Sequence, residues 1–256
     1  MNQWCGKIAA VTGASSGIGK ATSIALLKHG VNVVGLARRL ETMKKIPNEV
    51  EGIKGKFYPI QCDLSKEEDI IKAFKFVETL GGADILVNNA GLGYVESITE
   101  SSTEHMKNVL DLNVLASAIC AREITQSLRK RKARGQIINV NSVLGHNAAL
   151  ISKPCSLYET SKYAITGMSE TLRKDMQQSK APIKVTSLSP GIVKTDLSLL
   201  QDAGGETFFD AVSHIYSEDI ADGIIYVLTT PPHVQVNELT ITALHSGIIP
   251  TEKIKL

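Results

Sequence analysis

Tyr158 and Lys162 stand four residues apart in the run Tyr158-Glu159-Thr160-Ser161-Lys162, the spacing that sets two side chains on one face of a helix. A phenol ordinarily titrates near 10 and is a poor base at neutral pH. A fixed ammonium beside it favours the phenolate and lowers that value. A tyrosine tuned in this way gives a proton to a carbonyl oxygen under reduction, or takes one from an alcohol under oxidation. A bare Tyr-x-x-x-Lys is common on helix surfaces, so its context has to decide. Ser142 closes the run Ile137-Ile138-Asn139-Val140-Asn141-Ser142, sixteen residues before Tyr158. A hydroxyl at that strand end can polarise a substrate oxygen and hold it beside the phenol. Asn113, in Leu110-Asp111-Leu112-Asn113-Val114, is polar on an otherwise apolar helix face, and is expected to hold a water that relays protons to Lys162. Asn113, Ser142, Tyr158 and Lys162 are the candidate catalytic set.

A second group of residues can hold phosphate. Thr12-Gly13-Ala14-Ser15-Ser16-Gly17-Ile18-Gly19 follows one apolar run and opens a helical pattern. Glycines there let the backbone turn tightly, while the free N–H groups and positive dipole end of the helix face an anion. The spacing is GxxxGxG rather than GxGxxG. Gly13, Ser15, Ser16, Gly17, Ile18 and Gly19 are the candidate pyrophosphate contacts. About 20 residues beyond such a loop an acid favours NAD, whereas an arginine accommodates the 2′-phosphate of NADP. Here Gly35-Leu36-Ala37-Arg38-Arg39 carries no carboxylate. Arg38 offers a planar fork to a phosphate, and Arg39 can stack or pair nearby, so NADP(H) is the expected cofactor. Asp63-Leu64 is placed to touch the adenine edge, and Lys162 can also bind the nicotinamide ribose next to Tyr158.

These residues need a scaffold that brings them to one place. The strand candidates are Ile8–Thr12, Val31–Leu36, Phe57–Gln61, Ile85–Asn88, Gln136–Val140, Lys184–Leu188 and Glu238–Thr242. Several are near-continuous apolar runs, as strands covered on both faces are. Helical patterns lie between them. Ser65-Lys66-Glu67-Glu68 and Ser101-Ser102-Thr103-Glu104 have capping-box spacing. Gly30 and Gly81-Gly82 stand where left-handed helix stops are expected. Strand alternating with helix implies right-handed crossovers and an α/β fold with a doubly wound parallel sheet, helices on both faces. Ligands then bind beyond the carboxyl ends of the strands, where the motifs above fall.

The whole chain sets bounds on what it does. Its 256 residues, 43% hydrophobic and 21% charged, suit a single α/β domain with a full core. The cofactor half is expected over about 1–140 and the catalytic and substrate half over about 141–256. A formal net charge of +2 argues against a nucleic-acid partner or an anionic membrane surface. No stretch approaches ~18 apolar residues, so no membrane span is expected. Cys5, Cys62, Cys120 and Cys155 form no CxxC pair, which suits reduced thiols in the cytoplasm and no metal. Met1–Lys7 carries no secretory signal pattern, and Ile254-Lys255-Leu256 reads as a plain tail.

Taken in order, TGASSGIG, Asp63-Leu64, Asn88-Asn89-Ala90-Gly91, Asn113, Ser142, Tyr158xxxLys162 and Pro190-Gly191 resemble the short-chain dehydrogenase/reductase family over nearly the whole chain. The resemblance implies a seven-stranded Rossmann-like sheet, a Ser-Tyr-Lys-Asn tetrad and a homodimer or homotetramer. It places Asn89, Ala90 and Gly91 on the adenosine ribose side, and Pro190, Gly191, Ile192, Val193 and Thr195 around the nicotinamide. At the position of Ser16 some NADP-preferring relatives carry a second basic residue. Within the family, the loop sequence and Ala37-Arg38-Arg39 are similar to the insect farnesol dehydrogenase group and its vertebrate relatives acting on 17-ketosteroids.

The substrate side is apolar. Val143, Leu144, Ala148, Ala149, Leu150 and Cys155 lie between Ser142 and Tyr158, with His146 a possible substrate contact. Leu197, Leu199, Leu200, Phe208 and Phe209 follow the nicotinamide loop around Gly204-Gly205, as in a lid that excludes water. Leu144, Leu150 and Leu197 are the candidate substrate contacts. With no arginine to clamp a carboxylate, the expected substrate is a hydrophobic alcohol or carbonyl, either an isoprenoid such as farnesol or a ketosteroid or ecdysteroid. Reduction of small xenobiotic ketones, a non-catalytic dinucleotide sensor and a sugar-nucleotide epimerase or dehydratase are the alternatives. The sensor need not keep Tyr158, Lys162 and Ser142, and the epimerase usually needs a larger C-terminal domain. Ser217–Leu228 and Gln235–Ala243 could form a subunit interface or belong to the core.

Overall fold

A computed structural model describes residues 1–151, 153–195, 209–210 and 212–246. Strand β1 (Ile8–Thr12) is buried at all five positions, as a strand flanked on both edges and covered on both faces must be. It pairs in parallel with β2 (Asn32–Ala37) and with β4 (Ile85–Asn88). Adding β3 (Phe57–Gln61), β5 (Gly135–Val140), β6 (Ile183–Pro190) and β7 (Glu238–Ile241), the described residues form a seven-stranded sheet in the order β3-β2-β1-β4-β5-β6-β7. All of its pairings are parallel. The order reverses between β1 and β4, which opens a crevice at their carboxyl ends.

The helices are α1 (Gly17–Lys28), α2 (Leu40–Lys45), α3 (Glu67–Thr79), α4 (Thr103–Leu110), α5 (Ala116–Arg131), α6 (Tyr158–Gln178) and α7 (Ser217–Thr229). Side chains alternate across each strand, so one sheet feeds two cores. Ala9, Val11, Val33, Val87 and Leu188 face Leu26 and Leu27 of α1 and Ile224 and Leu228 of α7. Ala10, Val34, Leu86, Ile137 and Val185 face Phe74 of α3, Ile124 and Leu128 of α5 and Met176 of α6. Each fully buried Leu or Ile contributes about 1.5–3 kcal/mol, so both layers are clamped to the sheet and the strand ends are held rigidly.

The apolar runs located the strands well, because burial on both faces leaves a continuous signal. Ile8–Thr12, Phe57–Gln61 and Ile85–Asn88 occur as expected, while β6 extends to Pro190. Gly30 follows α1 with φ +79° and Gly81 follows α3 with φ +105°, the left-handed stops that glycine accommodates. The two capping boxes do not form as expected. The Ser65 hydroxyl donates to Asp63 at 2.8 Å, and α3 starts after Lys66 without a side-chain cap. At α4 the cap is Ser102, which accepts from His105 N at 3.1 Å, and Ser101 is turned to Glu96 instead.

The apolar side of α7 belongs to the core, with Tyr226 left 58% exposed, and β7 alternates exposed and half-buried residues at the sheet edge. Cys62, Cys120 and Cys155 are buried free thiols and Cys5 is an exposed one. Among the described residues no helix is long and apolar enough to cross a membrane, and no cluster of three metal-ligating side chains occurs.

Candidate active site

The loops after β1 and β4 meet in the crevice. Thr12 Oγ1 accepts from the backbone N–H groups of Asn89 at 2.9 Å and Ala90 at 3.0 Å, and Asn89 Nδ2 donates to the Thr12 carbonyl at 2.9 Å. Gly13 turns at φ +67° and Gly17 at φ +51°, a region open to glycine at little cost. A Cβ on Gly19 would stand 2.4 Å from the Gly13 carbonyl oxygen and 2.5 Å from Asn89 Nδ2, so the third glycine lets loop, helix and Asn89 close together. The Ser16 side chain makes no capping bond to α1. Among the described residues no side chain accepts from the first-turn N–H groups of α1, at the place where such a fold binds a pyrophosphate. The donor set fits a dinucleotide.

The end of β2 completes this set. Arg39 reaches back to the phosphate loop, donating through Nε to Ser15 Oγ at 3.2 Å and through Nη2 to Ser16 Oγ at 2.6 Å. The position that lacks a basic residue in the sequence, Ser16, thus receives a guanidinium from Arg39. Arg38 is exposed alongside; against the opposing effect of desolvation, hydrogen bonds from Ser65, then the charges of Lys66 and Arg38, hold the Asp63 carboxyl below its ordinary value. The Asp63 carboxylate accepts from the Ser65 hydroxyl at 2.8 Å and from Ser65 N at 3.2 Å, and Leu64 is buried beneath it.

Ser142, Tyr158 and Lys162 come together at the ends of β5 and α6, and all three are buried. Tyr158 is the first residue of α6, and the Lys162 ammonium lies 5.5 Å from the centre of its ring. Lys162 Nζ donates to the Val140 carbonyl at 3.0 Å, which ties α6 to the end of β5. Burial pushes the Tyr158 phenol well above its ordinary value, with a hydrogen bond to Ser142 acting against it. Burial also lowers Lys162 to about 8. The expected lowering of the tyrosine is therefore not what this arrangement produces: burial of the phenol in a dry pocket sets the direction of its shift.

Asn113 lies in a single π-helical turn, Asp111–Leu115, between α4 and α5, a device that turns a side chain off its helical row. Its amide accepts from Leu92 N at 2.8 Å and donates to the Leu92 carbonyl and to Ser161 Oγ, both at 2.9 Å. Ser161 Oγ in turn donates to the Tyr158 carbonyl at 2.6 Å. Where the sequence suggested a water between Asn113 and Lys162, the Asn113 amide reaches α6 through Ser161. Ser161, fully buried three residues after Tyr158, escaped notice because a serine inside a tyrosine–lysine spacing carries no signal of its own.

After β6, Gly191 N donates to Ile241 O at 2.8 Å, and Lys194 N to Ile215 O at 2.8 Å. Ile192 O accepts from Ile215 N at 2.9 Å and Val193 forms a bridge with Ile215. These bonds carry Pro190, Ile192 and Val193 past the crevice until Thr195 lies against Gly17, 3.2 Å from where a Cβ would stand. On the substrate side Leu144, Cys155 and Tyr158 form one buried cluster, with Val143, Leu150 and Ile151 packed against it. Phe209 is buried with Ile192 and Val212. Leu197 lies outside the described residues, as do Leu199, Leu200, Gly204-Gly205 and Phe208. His146 has structural partners: Nε2 lies 3.1 Å from Ser189 Oγ and 3.2 Å from Glu238 Oε1.

Fold and site together define a dinucleotide-binding α/β domain with ionisable side chains gathered at the mouth of its crevice. Residues 7–203 match the family model described as short chain dehydrogenase. A farnesol dehydrogenase of Aedes aegypti is 43% identical over 94% of this chain and 97% of the relative. Dehydrogenase/reductase SDR family member 11 of Gallus gallus is 39% identical over 99% of this chain and 100% of the relative. A solved serine dehydrogenase, in its closed form complexed with NADP+, shares the fold with a TM-score of 0.80 at 27% identity, covering 91% of this chain and 94% of that one. The chain belongs to the short-chain dehydrogenase/reductase family, and is an oxidoreductase that uses a nicotinamide dinucleotide.

Proposed function

We propose that this enzyme is an NADP(H)-dependent reductase and dehydrogenase that interconverts a hydrophobic alcohol and its aldehyde or ketone. The substrate class is an isoprenoid alcohol such as farnesol, or a ketosteroid or ecdysteroid. The observation that carries this reading is the clustering of buried Tyr158 with Leu144 and Cys155, against which Leu150 and Ile151 pack, next to buried Ser142. A proton donor is thereby set in an apolar wall. The relatives named for farnesol dehydrogenase and for member 11 of the family support the same class.

In this proposal Gly13, Ser15, Ser16, Gly17, Ile18 and Gly19 hold the pyrophosphate, and Arg38 and Arg39 hold the 2′-phosphate. Asp63 and Leu64 border the adenine. Asn89, Ala90 and Gly91 face the adenosine ribose, Tyr158 and Lys162 the nicotinamide ribose, and Pro190, Gly191, Ile192, Val193 and Thr195 the nicotinamide. The bound dinucleotide supplies or accepts a hydride at the substrate carbon. A phenol held protonated by burial is suited to donate its proton to a carbonyl oxygen, the part it takes when the reaction runs as a reduction. Ser142 donates a second hydrogen bond to that oxygen. Lys162, with a pKa of about 8, can return a proton to the phenolate near neutral pH. Asn113 positions α6 through Ser161, and Leu144, Leu150 and Leu197 border the substrate. The cofactor half spans about 1–140 and the substrate half about 141–256, in a cytoplasmic homodimer or homotetramer.

The test is absorbance of the reduced nicotinamide across prenyl aldehydes, ketosteroids and small ketones, with NADPH and NADH in parallel. Turnover of one hydrophobic class with NADPH is the expected result. Equal specificity constants for the two cofactors, or turnover of small ketones alone, would refute the reading.

A further inference from the structure

The turn that presents Tyr158 is braced from outside its own helix. Leu157, the N-cap residue of α6, makes no side-chain capping bond. Just before it, Ser156 is held at φ +49°, a left-handed conformation that is unfavourable for a residue with a Cβ and persists only where its surroundings enforce it. The enforcing contacts come from the loop between β4 and α4, some sixty residues earlier in the chain. Ser156 N donates to the Glu96 carbonyl at 3.0 Å. Ser156 Oγ donates to Ser101 Oγ at 2.8 Å, and Ser101 Oγ to Glu96 Oε1 at 2.5 Å. The Glu96 carbonyl thus holds the Ser156 N–H directly and its carboxylate reaches the Ser156 hydroxyl through Ser101, and Ser156 is itself 9% exposed.

The carboxylate of this clip is fixed from its other side. His105 Nδ1 lies 3.1 Å from each Glu96 oxygen, and its ring stacks on Tyr94 at 3.8 Å with an interplanar angle of 7°. The Ser101 hydroxyl, followed by His105, holds the Glu96 carboxyl below its ordinary value. His105 is in turn set by Ser102, whose hydroxyl caps α4 through His105 N. The Glu96 carboxylate thus joins α4, through His105, to the Ser156 turn, through Ser101.

We propose that Glu96 is a positioning residue for Tyr158: through Ser101 and Ser156 it fixes the turn that sets the phenol against Ser142. The inference rests on the reading of Tyr158 as the proton donor. The clip joins the β4–α4 loop to the start of α6 and touches neither the Gly13–Gly19 loop nor Arg39, so its loss bears on proton transfer far more than on cofactor affinity.

The experiment compares E96A, E96Q, S101A, the double variant E96A/S156G and Y158F by kcat, KM for carbonyl substrate, NADPH dissociation constant and melting temperature. E96A and S101A are expected to lower kcat roughly 10-fold with the NADPH dissociation constant unchanged. E96Q keeps an acceptor for Ser101 and should recover most of that loss. Glycine adopts positive φ freely, so S156G placed in the E96A background should restore part of kcat, which a merely structural defect would not do. If E96A fails to fold, S101A against E96Q decides. Wild-type kcat in E96A and S101A while Y158F is inactive would overturn the positioning role and leave the proton-donor reading standing. A loss confined to NADPH affinity would overturn it equally. Full activity in Y158F would instead remove the reading on which it rests.

Discussion

Lys162 places its ammonium 5.5 Å from the centre of the Tyr158 ring, with a hydrogen bond to the Val140 carbonyl at 3.0 Å. A cation in that position is both useful and costly: it is fixed beside the phenol, and it is buried. The cost has a definite pH signature. Burial lowers Lys162 from 10.5 to about 8 in the folded protein. Below about pH 8 the lysine is protonated whether folded or unfolded, and the folded state bears the full penalty. Between about 8 and about 10.5 only the unfolded chain keeps the proton, so stability rises with pH. Lys162→Met removes this dependence. In denaturant titrations the wild type should gain on the variant by roughly 2–3 kcal/mol across that window. A constant difference between the two would show that Lys162 is not desolvated.

The proposed preference for NADPH rests on Arg39. Its two bonds to Ser15 and Ser16 hold a guanidinium over the phosphate loop, and a charged hydrogen bond is worth about 1.5–3 kcal/mol. Arg39→Ala should raise KM for NADPH about 10- to 100-fold and leave KM for NADH nearly unchanged. An equal rise for both cofactors would place Arg39 in general loop support instead.

The third glycine of the loop tolerates no side chain. In Gly19→Ala the new methyl meets the Gly13 carbonyl oxygen at 2.4 Å, a backbone atom that cannot swing aside. Overpacking of this kind costs about 1–3 kcal/mol. The expected result is a lowered melting temperature together with loss of cofactor binding, read by thermal denaturation with and without NADPH. Wild-type stabilisation by NADPH in G19A would contradict the closeness of loop and helix.

The sequence is most legible where one local rule acts alone. Strands β1 and β4 appear at their expected bounds because residues such as Ala9, Val11 and Leu86 are buried in strands covered on both faces, and the glycine loop is legible because φ at Gly13 and Gly17 demands that residue. Local patterns fail where a side chain has a better partner than the pattern supplies. Ser65 turns to Asp63, and Ser101 to Glu96, so neither closes its capping box. The contacts least legible are the non-local ones. Asn113 reaches Ser161, His146 reaches Glu238 and Glu96 reaches Ser156 across 48, 92 and 60 positions of the chain, and no spacing rule links such pairs. The same holds for the protonation of Tyr158. The motif puts a lysine beside it, yet the dryness of the pocket, which only the fold reveals, sets the direction of its pKa.

Tyr158 is the group proposed to move the proton. The decisive measurement is the rate of NADPH oxidation by a hydrophobic aldehyde or ketone in wild type and Tyr158→Phe, with NADPH binding followed separately by fluorescence. General acid–base catalysis contributes about 10²- to 10⁴-fold, so Y158F should bind NADPH as wild type does and oxidise it slower by a factor in that range. NADPH oxidation at the wild-type rate in Y158F would contradict the central claim.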